Sequence, residues 1–288
     1  MIELLLIFGV AALASAFGFG DDDDDDSTTP DEDSGDDIIE GSDGADLIDS
    51  GTGDDVILAR GGDDTVQGGD GDDVLKGGYG DDYMTGGNDD DDLRGGAGDD
   101  SINGEDGDDT IDGGTGIDLM VGGAGDDLIL GQEDNDYISG QAGADTLDGG
   151  DGNDFISGYY DGSDETGYEL RDELDPDQID GGAGSDFLLV GSGDTVTGGA
   201  GMDVFAPGIW IDPENPAVIE DYSQDEDQIV MAYPTDYAGD LSIEIGQSSD
   251  DPADATVLVG GQVALLVTGG YGTLSASDVS LVAVDEFA

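Results

Sequence analysis

One apolar position recurs at every ninth residue through the middle of the chain. Counted from Glu32, fourteen consecutive nine-residue frames run to Ser157 without insertion or deletion, and the eighth place of each frame is Ile, Leu, Val or Met. Most of the other places hold glycine or polar residues. A fixed period of this kind indicates a solenoid, in which each unit buries its apolar residue only by stacking on its neighbours.

Each frame predicts a turn followed by a short strand. Gly fills the first place in eleven frames and the fourth place in twelve, and Gly permits the positive φ of a tight turn. Places seven to nine, such as Leu128-Ile129-Leu130, suit a short strand with its middle residue on one face. Two successive frames then close one coil. The predicted fold class is all-β: a parallel β-roll, a right-handed β-helix of stacked coils around a thin apolar core.

Asp occupies the sixth place of all fourteen frames. Because alternate frames superpose, these residues are expected to form two columns. The first column contains Asp37, Asp55, Asp73, Asp91, Asp109, Asp127 and Asp145, and the second contains Asp46, Asp64, Asp82, Asp100, Asp118, Asp136 and Asp154. Carboxylates about 4.8 Å apart repel by roughly 1 kcal/mol per pair even in water. The columns therefore predict cations bound between successive coils.

The composition indicates which cation chemistry is available. The chain has 74 acidic and 4 basic residues, no histidine, no cysteine and a formal net charge of −70. Disulfides, thiolate or imidazole metal sites and His-dependent catalysis are excluded. Nucleic acid and anionic membrane surfaces are repelled. Carboxylate and carbonyl oxygens remain as ligands, and these suit calcium.

The frames also resemble a known repeat. Gly95-Gly96-Ala97-Gly98-Asp99-Asp100-Ser101-Ile102-Asn103 matches the nonapeptide G-G-x-G-x-D-x-U-x of RTX, or haemolysin-type calcium-binding, proteins. The resemblance spans residues 32–157, returns to phase at Asp177 and resumes over 181–206 with Asp186, Asp194 and Asp203. It implies a parallel β-roll that binds multiple calcium ions in its turns through the sixth-place Asp and backbone carbonyls.

In the five frames that start at residues 59, 86, 104, 131 and 140, a residue other than glycine stands at the second or fourth place. These residues are Arg60, Asp89, Glu105, Gln132, Asp134 and Gln141. At the fourth place such a residue predicts a strained turn unless its side chain tolerates a left-handed conformation.

The N-terminal segment suggests a location outside the cytoplasm. Residues 4–19 carry no charge, but a spanning helix needs about 20 apolar residues. Ala14-Ser15-Ala16 resembles a signal-peptide cleavage site, although no Lys or Arg precedes the apolar run. Residues 1–20 are therefore either a cleaved signal or a membrane anchor, and residues 21–31 an acidic linker. Either alternative predicts an extracellular or cell-surface protein.

Two further segments follow the main repeat tract. Residues 158–180 form an insertion loop, which either contacts a partner or packs on the flank of the roll. Residues 207–288 predict a C-terminal β cap similar to that of secreted, serralysin-like RTX proteins, and the last four residues are loosely like type I export signals. Strands are predicted at Val218–Tyr222, Gln228–Met231, Leu241–Ile245, Thr256–Val259 and Val263–Val267.

Two details of the predicted cap can be checked directly. Gly260-Gly261 is expected to join the last two strands as a hairpin. Phe205, Trp210 and Tyr222 are expected to cover the open end of the roll.

These features favour a non-enzymatic, exported or surface-held calcium-binding protein that folds when calcium binds outside the cytoplasm. A first alternative is a calcium-cemented adhesin or surface-matrix protein with a cell-surface or polysaccharide partner. A second is the RTX module of a secreted enzyme, which the absence of H-E-x-x-H and of any histidine disfavours. No nucleic-acid partner is expected, and membrane contact is expected only through residues 4–19, if this segment is not cleaved.

Overall fold

The computed structural model describes residues 35–158, 175–208, 211–234, 239–249 and 251–284. Within these ranges the chain forms 26 strands and no helix. None of the described ranges therefore contains a helix that could span a membrane. The predictions for the leader, the acidic linker, most of the insertion, Trp210 and the last four residues lie outside the described residues.

Strands follow one another at nearly constant spacing along the roll and then less regularly in the cap. In chain order they are β1 (Ile38–Glu40), β2 (Leu47–Thr52), β3 (Val56–Gly61), β4 (Thr65–Asp70), β5 (Val74–Tyr79), β6 (Tyr83–Asn88), β7 (Asp92–Ala97), β8 (Ser101–Asp106), β9 (Thr110–Thr115), β10 (Leu119–Ala124), β11 (Leu128–Glu133), β12 (Tyr137–Ala142), β13 (Thr146–Asp148), β14 (Phe155–Ser157), β15 (Gln178–Asp180), β16 (Ala183–Gly184), β17 (Phe187–Val190), β18 (Thr195–Thr197), β19 (Ala200–Gly201), β20 (Val204–Pro207), β21 (Ala217–Ile219), β22 (Gln228–Pro234), β23 (Ile243–Gln247), β24 (Ala255–Val259), β25 (Gln262–Val267) and β26 (Val279–Val284).

Most strands of the repeat tract are longer than the sequence predicted. Strand β11, for example, has six residues and continues from places seven to nine into places one to three of the next frame. Glycine residues at the second place still pair with their neighbours in the ladder, as Gly69 does with Gly87. The glycine segment therefore both ends the strand and turns the chain.

The roll strands form two parallel sheets that face each other across the core, and β16 and β19 form a separate two-stranded sheet. Sheet A has the order β1-β3-β5-β7-β9-β11-β13-β15-β18-β21-β25-β24-β23, and sheet B has the order β2-β4-β6-β8-β10-β12-β14-β17-β20-β22-β26. Ile39 pairs in sheet A with Ile57, which lies two frames further along the chain. Nine coils alternate between the sheets in this way, which confirms the predicted parallel β-roll.

A single file of apolar side chains from each sheet fills the interior. The eighth-place residue of every frame from Ile39 to Ile156 is buried, at 0 to 6% exposure, and so are Ile179, Leu188, Val196 and Phe205 after the insertion. Burial of one Leu, Ile or Met contributes about 1.5–3 kcal/mol. The core is continuous only because each residue lies on the equivalent residue of the preceding coil.

The insertion interrupts the sequence period but not the stack. Strand β13 pairs with β15 through Leu147 and Ile179, and β14 pairs with β17 through Ile156 and Leu188. Successive coils are separated by 32 positions of sequence here, where the preceding coils are separated by 18. The additional positions of sequence therefore fall between β14 and β15.

The C-terminal cap continues both sheets. Strand β21 pairs in parallel with β25, and β22 pairs in parallel with β26. Strands β23, β24 and β25 are antiparallel, and Gly260-Gly261 joins β24 to β25 with φ angles of 58° and 81°, so the predicted hairpin is confirmed. The five predicted strand regions all contain strands, but β26 was missed.

Phe205 and Tyr222 pack together at the cap end of the core. Their ring centroids lie 6.4 Å apart. Phe205 is fully buried, and Tyr222 packs against the core cluster. Phe205 does not cover the open end as predicted, because Ile229 pairs with it in the next coil and continues the core.

Candidate metal sites in the turns

The sixth-place Asp residues line the turn at the start of each roll strand, in the two predicted columns. Within a column, the backbone N–H of one Asp donates a hydrogen bond to Oδ1 of the Asp in the next coil. Asp73 N–H, for example, lies 2.8 Å from Asp91 Oδ1. The same bond, at 2.7 to 3.1 Å, joins Asp37 through to Asp194 in the first column and Asp46 through to Asp203 in the second.

The second carboxylate oxygen of most of these residues is buried without a hydrogen-bond donor. This holds for thirteen Oδ2 atoms within the described part of the chain: those of Asp55, Asp64, Asp73, Asp82, Asp91, Asp100, Asp109, Asp118, Asp127, Asp136, Asp145, Asp154 and Asp186. A buried acceptor without a partner costs about 1–3 kcal/mol, and a charged one costs more. The metal-free roll therefore needs another partner for these oxygens.

Backbone carbonyl oxygens lie close to the same Oδ2 atoms, and together they line small pockets. A Cβ atom added to Gly95 would collide with Asp100 Oδ2 in its own frame and with the carbonyl oxygen of Gly113 in the next coil. The same arrangement surrounds Gly68, Gly77, Gly86, Gly104 and Gly122. Each such pocket is thus lined by one buried carboxylate oxygen and at least one carbonyl oxygen. In these frames the first place is glycine because an added Cβ would collide with these oxygens.

Burial destabilises the charged form of these carboxyls. Desolvation is the main cause that raises the pKa, and it raises the pKa of Asp73 to about 6 and the pKa of Asp91 and Asp127 to about 8. Neighbouring carboxylates raise the pKa further, while the N–H of the preceding coil lowers it. After the insertion, the pKa of Asp177 rises to about 10 because of burial and the nearby Asp194.

The donor set fits a hard divalent cation. Within the described ranges no group of three acidic side chains could hold a metal ion by itself, so turn carbonyls would have to complete the ligand set. Oxygen ligands in a turn of this kind suit calcium. A cation there would supply the partner that the thirteen Oδ2 atoms lack, and it would relieve the repulsion within each column.

The non-glycine residues at the glycine places keep the turn geometry. Arg60, Asp89, Glu105, Gln132, Asp134 and Gln141 all have φ between 72° and 83°. All six residues are therefore left-handed, a conformation that costs about 1–2 kcal/mol for residues other than Gly and is tolerated best by Asn and Asp.

A second ladder, at the fifth place, was missed from the sequence. Here the N–H donates to the residue one coil earlier, as from Asp108 to Asp90 Oδ1 at 2.9 Å. Corresponding bonds link Asp36, Asp54 and Asp72 on the same side and Asp63, Asp81, Asp99 and Ile117 on the other. These acids are exposed. The frequent Asp at the fifth place, just before the constant one, is the sequence signal that could have revealed this ladder.

Five predicted site residues are not among the thirteen. Asp37 is only half-buried, and Asp177 and Asp203 are buried near the C-terminal end of the roll. Asp46 Oδ2 accepts the N–H of Ser42, and Asp194 Oδ2 accepts the N–H of Gly191, each at 2.6 Å.

The second column also contains a residue that sequence reasoning missed. Asp203 N–H donates to Asp227 Oδ1 at 3.1 Å, and Ile229 continues the core beyond Phe205. Residues 222–230 are therefore a tenth frame of sheet B without any glycine. The spacing of Asp227 and Ile229, two residues apart, was its only sequence signal.

Comparison with known proteins agrees with this geometry. A parallel β-roll whose turns present buried carboxylates and carbonyls defines a metal-binding solenoid. The model of the RTX calcium-binding nonapeptide repeat (4 copies) matches residues 33–66, 58–93, 85–120, 121–156 and 170–196, which together are more than half of the chain. The chain belongs to this family of RTX calcium-binding repeats, and calcium is its cofactor.

Solved structures include a similar chain, the solution structure of the AlgE6R3 subunit from the Azotobacter vinelandii mannuronan C5-epimerase. It is 23% identical, with 58% of this chain and 84% of that chain covered and a TM-score of 0.29. No curated protein matches the chain.

Proposed function

We propose that this protein is exported or held at the cell surface, and that it folds when calcium binds to its turns. The observation that carries the proposal is the set of thirteen buried Oδ2 atoms without a donor. The core is thin and depends on coil-on-coil stacking, so the repulsion within each Asp column must be neutralised before the coils can close.

By mass action, folding of the chain depends on the calcium concentration of its surroundings. A ligand that binds only the folded chain stabilises it by RT ln(1 + [L]/Kd) for each site. Extracellular calcium modules bind with Kd of about 10⁻⁴–10⁻³ M. At such affinities the chain, with its net charge of −70, stays expanded where calcium is scarce and folds where calcium is millimolar.

The direct test is far-UV circular dichroism of residues 21–288 during a calcium titration in chelator-treated buffer. We expect a cooperative transition from coil to β structure with calcium. Replacing Asp73, Asp91 and Asp109 together by Asn should raise the midpoint, because three donorless oxygens of one column are removed. Replacing the exposed Asp72, Asp90 and Asp108 in the same way is the matched control. A chain that is already β-rich in excess chelator would contradict calcium-coupled folding.

Export is a separate step of the proposal and has its own test. The full chain and a chain lacking residues 1–20 should be expressed in the source cell and followed by immunoblot in the medium, the surface fraction and the cytoplasm. We expect the full chain outside the cytoplasm. Equal retention of both chains in the cytoplasm would contradict the proposed location.

The proposed role is binding rather than catalysis. The described residues outside the roll form the cap strands, and the whole chain lacks histidine and cysteine. The purified calcium-loaded protein is therefore expected to leave polysaccharide, peptide and ester substrates unchanged. Turnover that is abolished by a single substitution would overturn this part of the proposal.

A second candidate function is that of a calcium-cemented adhesin or surface-matrix protein. The supporting observation is the outer face of sheet B, where the seventh and ninth places of the nine roll strands include only one charged residue, Asp49. On sheet A the same places include seven charged residues. Sheet B also has stacked Phe155 and Phe187 rings, with centroids 5.3 Å apart.

The adhesin candidate predicts that an uncharged polysaccharide binds sheet B. Tyr137→Lys on sheet B should weaken binding in a pull-down with insoluble polysaccharide, whereas Leu130→Lys on sheet A should not. Deletion of residues 158–176 tests the insertion loop in the same assay. Equal binding by all variants would remove this candidate.

A further inference from the structure

The second Asp ladder begins and ends in turns that differ from the open turns between them. Asp46 is the first residue of the second column and Asp227 the last. In both turns a Ser four residues earlier donates its own N–H to the Asp Oδ2: Ser42 to Asp46 at 2.6 Å, and Ser223 to Asp227 at 2.7 Å. We call a turn of this kind closed, and a turn with a donorless Oδ2 open.

The sequence explains why these turns close. The second place of an open frame holds a residue with positive φ, such as Gly69 or Gly78. Ser42 and Ser223 stand at the second place of their frames and are not among the residues with positive φ. Their N–H groups therefore point at the carboxylate of the same turn. The signature is Ser-x-x-x-Asp in place of Gly-x-x-x-Asp.

The ladder also stops at the last closed turn. The N–H of Asp227 bonds the carbonyl oxygen of Ser223 at 2.8 Å, so it is used within its own turn and is not donated to a further coil. Asp194, the last predicted Asp of the first column, is in a closed turn of a second kind: Gly191, three residues earlier in a frame of eight, donates its N–H to Asp194 Oδ2 at 2.6 Å.

We propose that the closed turns at Asp46, Asp194 and Asp227 are metal-free stops that limit calcium to the interior of the roll. An N–H directed at Oδ2 already supplies the donor that the oxygen needs, and its hydrogen lies where a cation would approach. This inference rests on the proposed calcium binding by the open turns, and it adds the positions in the roll at which calcium binding ends.

The open turns then set the number of ions. The first column has six donorless Oδ2 atoms in successive coils from Asp55 to Asp145, which enclose five intervals. The second has seven, from Asp64 to Asp186, which enclose six. One ion in each of these intervals gives eleven ions within the part of the chain that the structure describes.

Calcium counting on variants tests the stops. The ions bound per chain are measured by equilibrium dialysis and atomic absorption. We expect Asp46→Asn and Asp227→Asn to bind as many ions as the original chain, Asp64→Asn to lose about one, and Asp100→Asn, which borders two intervals, to lose about two. Loss of an ion from Asp46→Asn equal to that from Asp64→Asn would overturn the inference. If the original chain bound no calcium, the proposed function itself would fail.

A second measurement needs no substitution. In the calcium-loaded original chain, NMR scalar coupling across the hydrogen bond should connect the Ser42 nitrogen with the Asp46 side-chain carboxylate carbon, and Ser223 with Asp227. We expect both couplings. Their absence in the loaded chain, together with an unprotected Ser42 amide, would show that the turns are open and would refute the stops even if the Asn variants failed to fold.

Discussion

Protons should partly replace calcium in the metal-free roll, because both neutralise the same carboxylates. Burial raises the pKa to about 6 for Asp73, Asp82, Asp109 and Asp118, to about 7 for Asp100, Asp136, Asp145 and Asp186, and to about 8 for Asp91 and Asp127. An Asp in the unfolded chain has a pKa of about 3.9. The folded roll therefore favours the neutral form of each group.

The direction of the pH effect follows from these shifts. Groups whose pKa is raised on folding contribute stability that is fully present below about pH 4 and is lost as the pH rises through the folded values. With the values above, the metal-free roll releases roughly six protons between pH 6 and pH 8. Its stability therefore falls steeply across this range.

Circular dichroism in excess chelator, from pH 8 down to pH 5, measures this effect. We expect the β signal to rise as the pH falls, while the calcium-loaded protein stays β-rich throughout. Replacing Asp91 and Asp127 by Asn, which is uncharged like protonated Asp, should preserve the β signal at higher pH. A β signal in chelator that stays flat or decreases on acidification would refute the reasoning.

Three further outcomes are expected for the calcium-loaded protein. Gln132→Gly should raise the free energy of unfolding by about 0.5–1 kcal/mol, because removing the strain of a left-handed residue outweighs the added entropy of the unfolded chain. Gly123→Gln should lower the free energy of unfolding, and urea unfolding measures both effects. Ile111→Ala should lower it by about 2–5 kcal/mol through the cavity it leaves, with the partly exposed Thr110→Ala as a control near zero. Magnesium should fail to fold the chain at calcium-like concentrations, because it demands a smaller octahedral site and dehydrates reluctantly; a β transition with magnesium alone would count against a calcium-specific pocket.

The repeat tract could be predicted from the sequence because two places in each frame determine its geometry. Ile111 and its equivalents have no other way to be buried than by stacking, so their period fixes the coil length. Asp109 and its equivalents are then brought into columns by the same period. Strand length was underestimated because Gly at the first and second places weakens a strand by propensity, yet the ladder extends through it.

The parts that were missed have local physical reasons. The frame at Asp227 lacks every glycine of the repeat, and its turn is closed by Ser223 instead. Strand β26 was missed because its segment follows an irregular stretch and carries no repeat signal; it forms by pairing with β22. Which Oδ2 atoms lack a donor could not be predicted from spacing, since Asp46 and Asp64 occupy the same place in their frames.

The pairing of β13 with β15 and of β14 with β17 across the insertion has a consequence for how such a chain can change. Each coil pairs only with the coils above and below it, so residues inserted in a turn do not alter the pairing of the other coils. Whole coils can be gained or lost in steps of two frames, and a foreign segment can be carried at a turn without shifting the register. The number of coils and the segment inserted at a turn can therefore vary independently in this architecture.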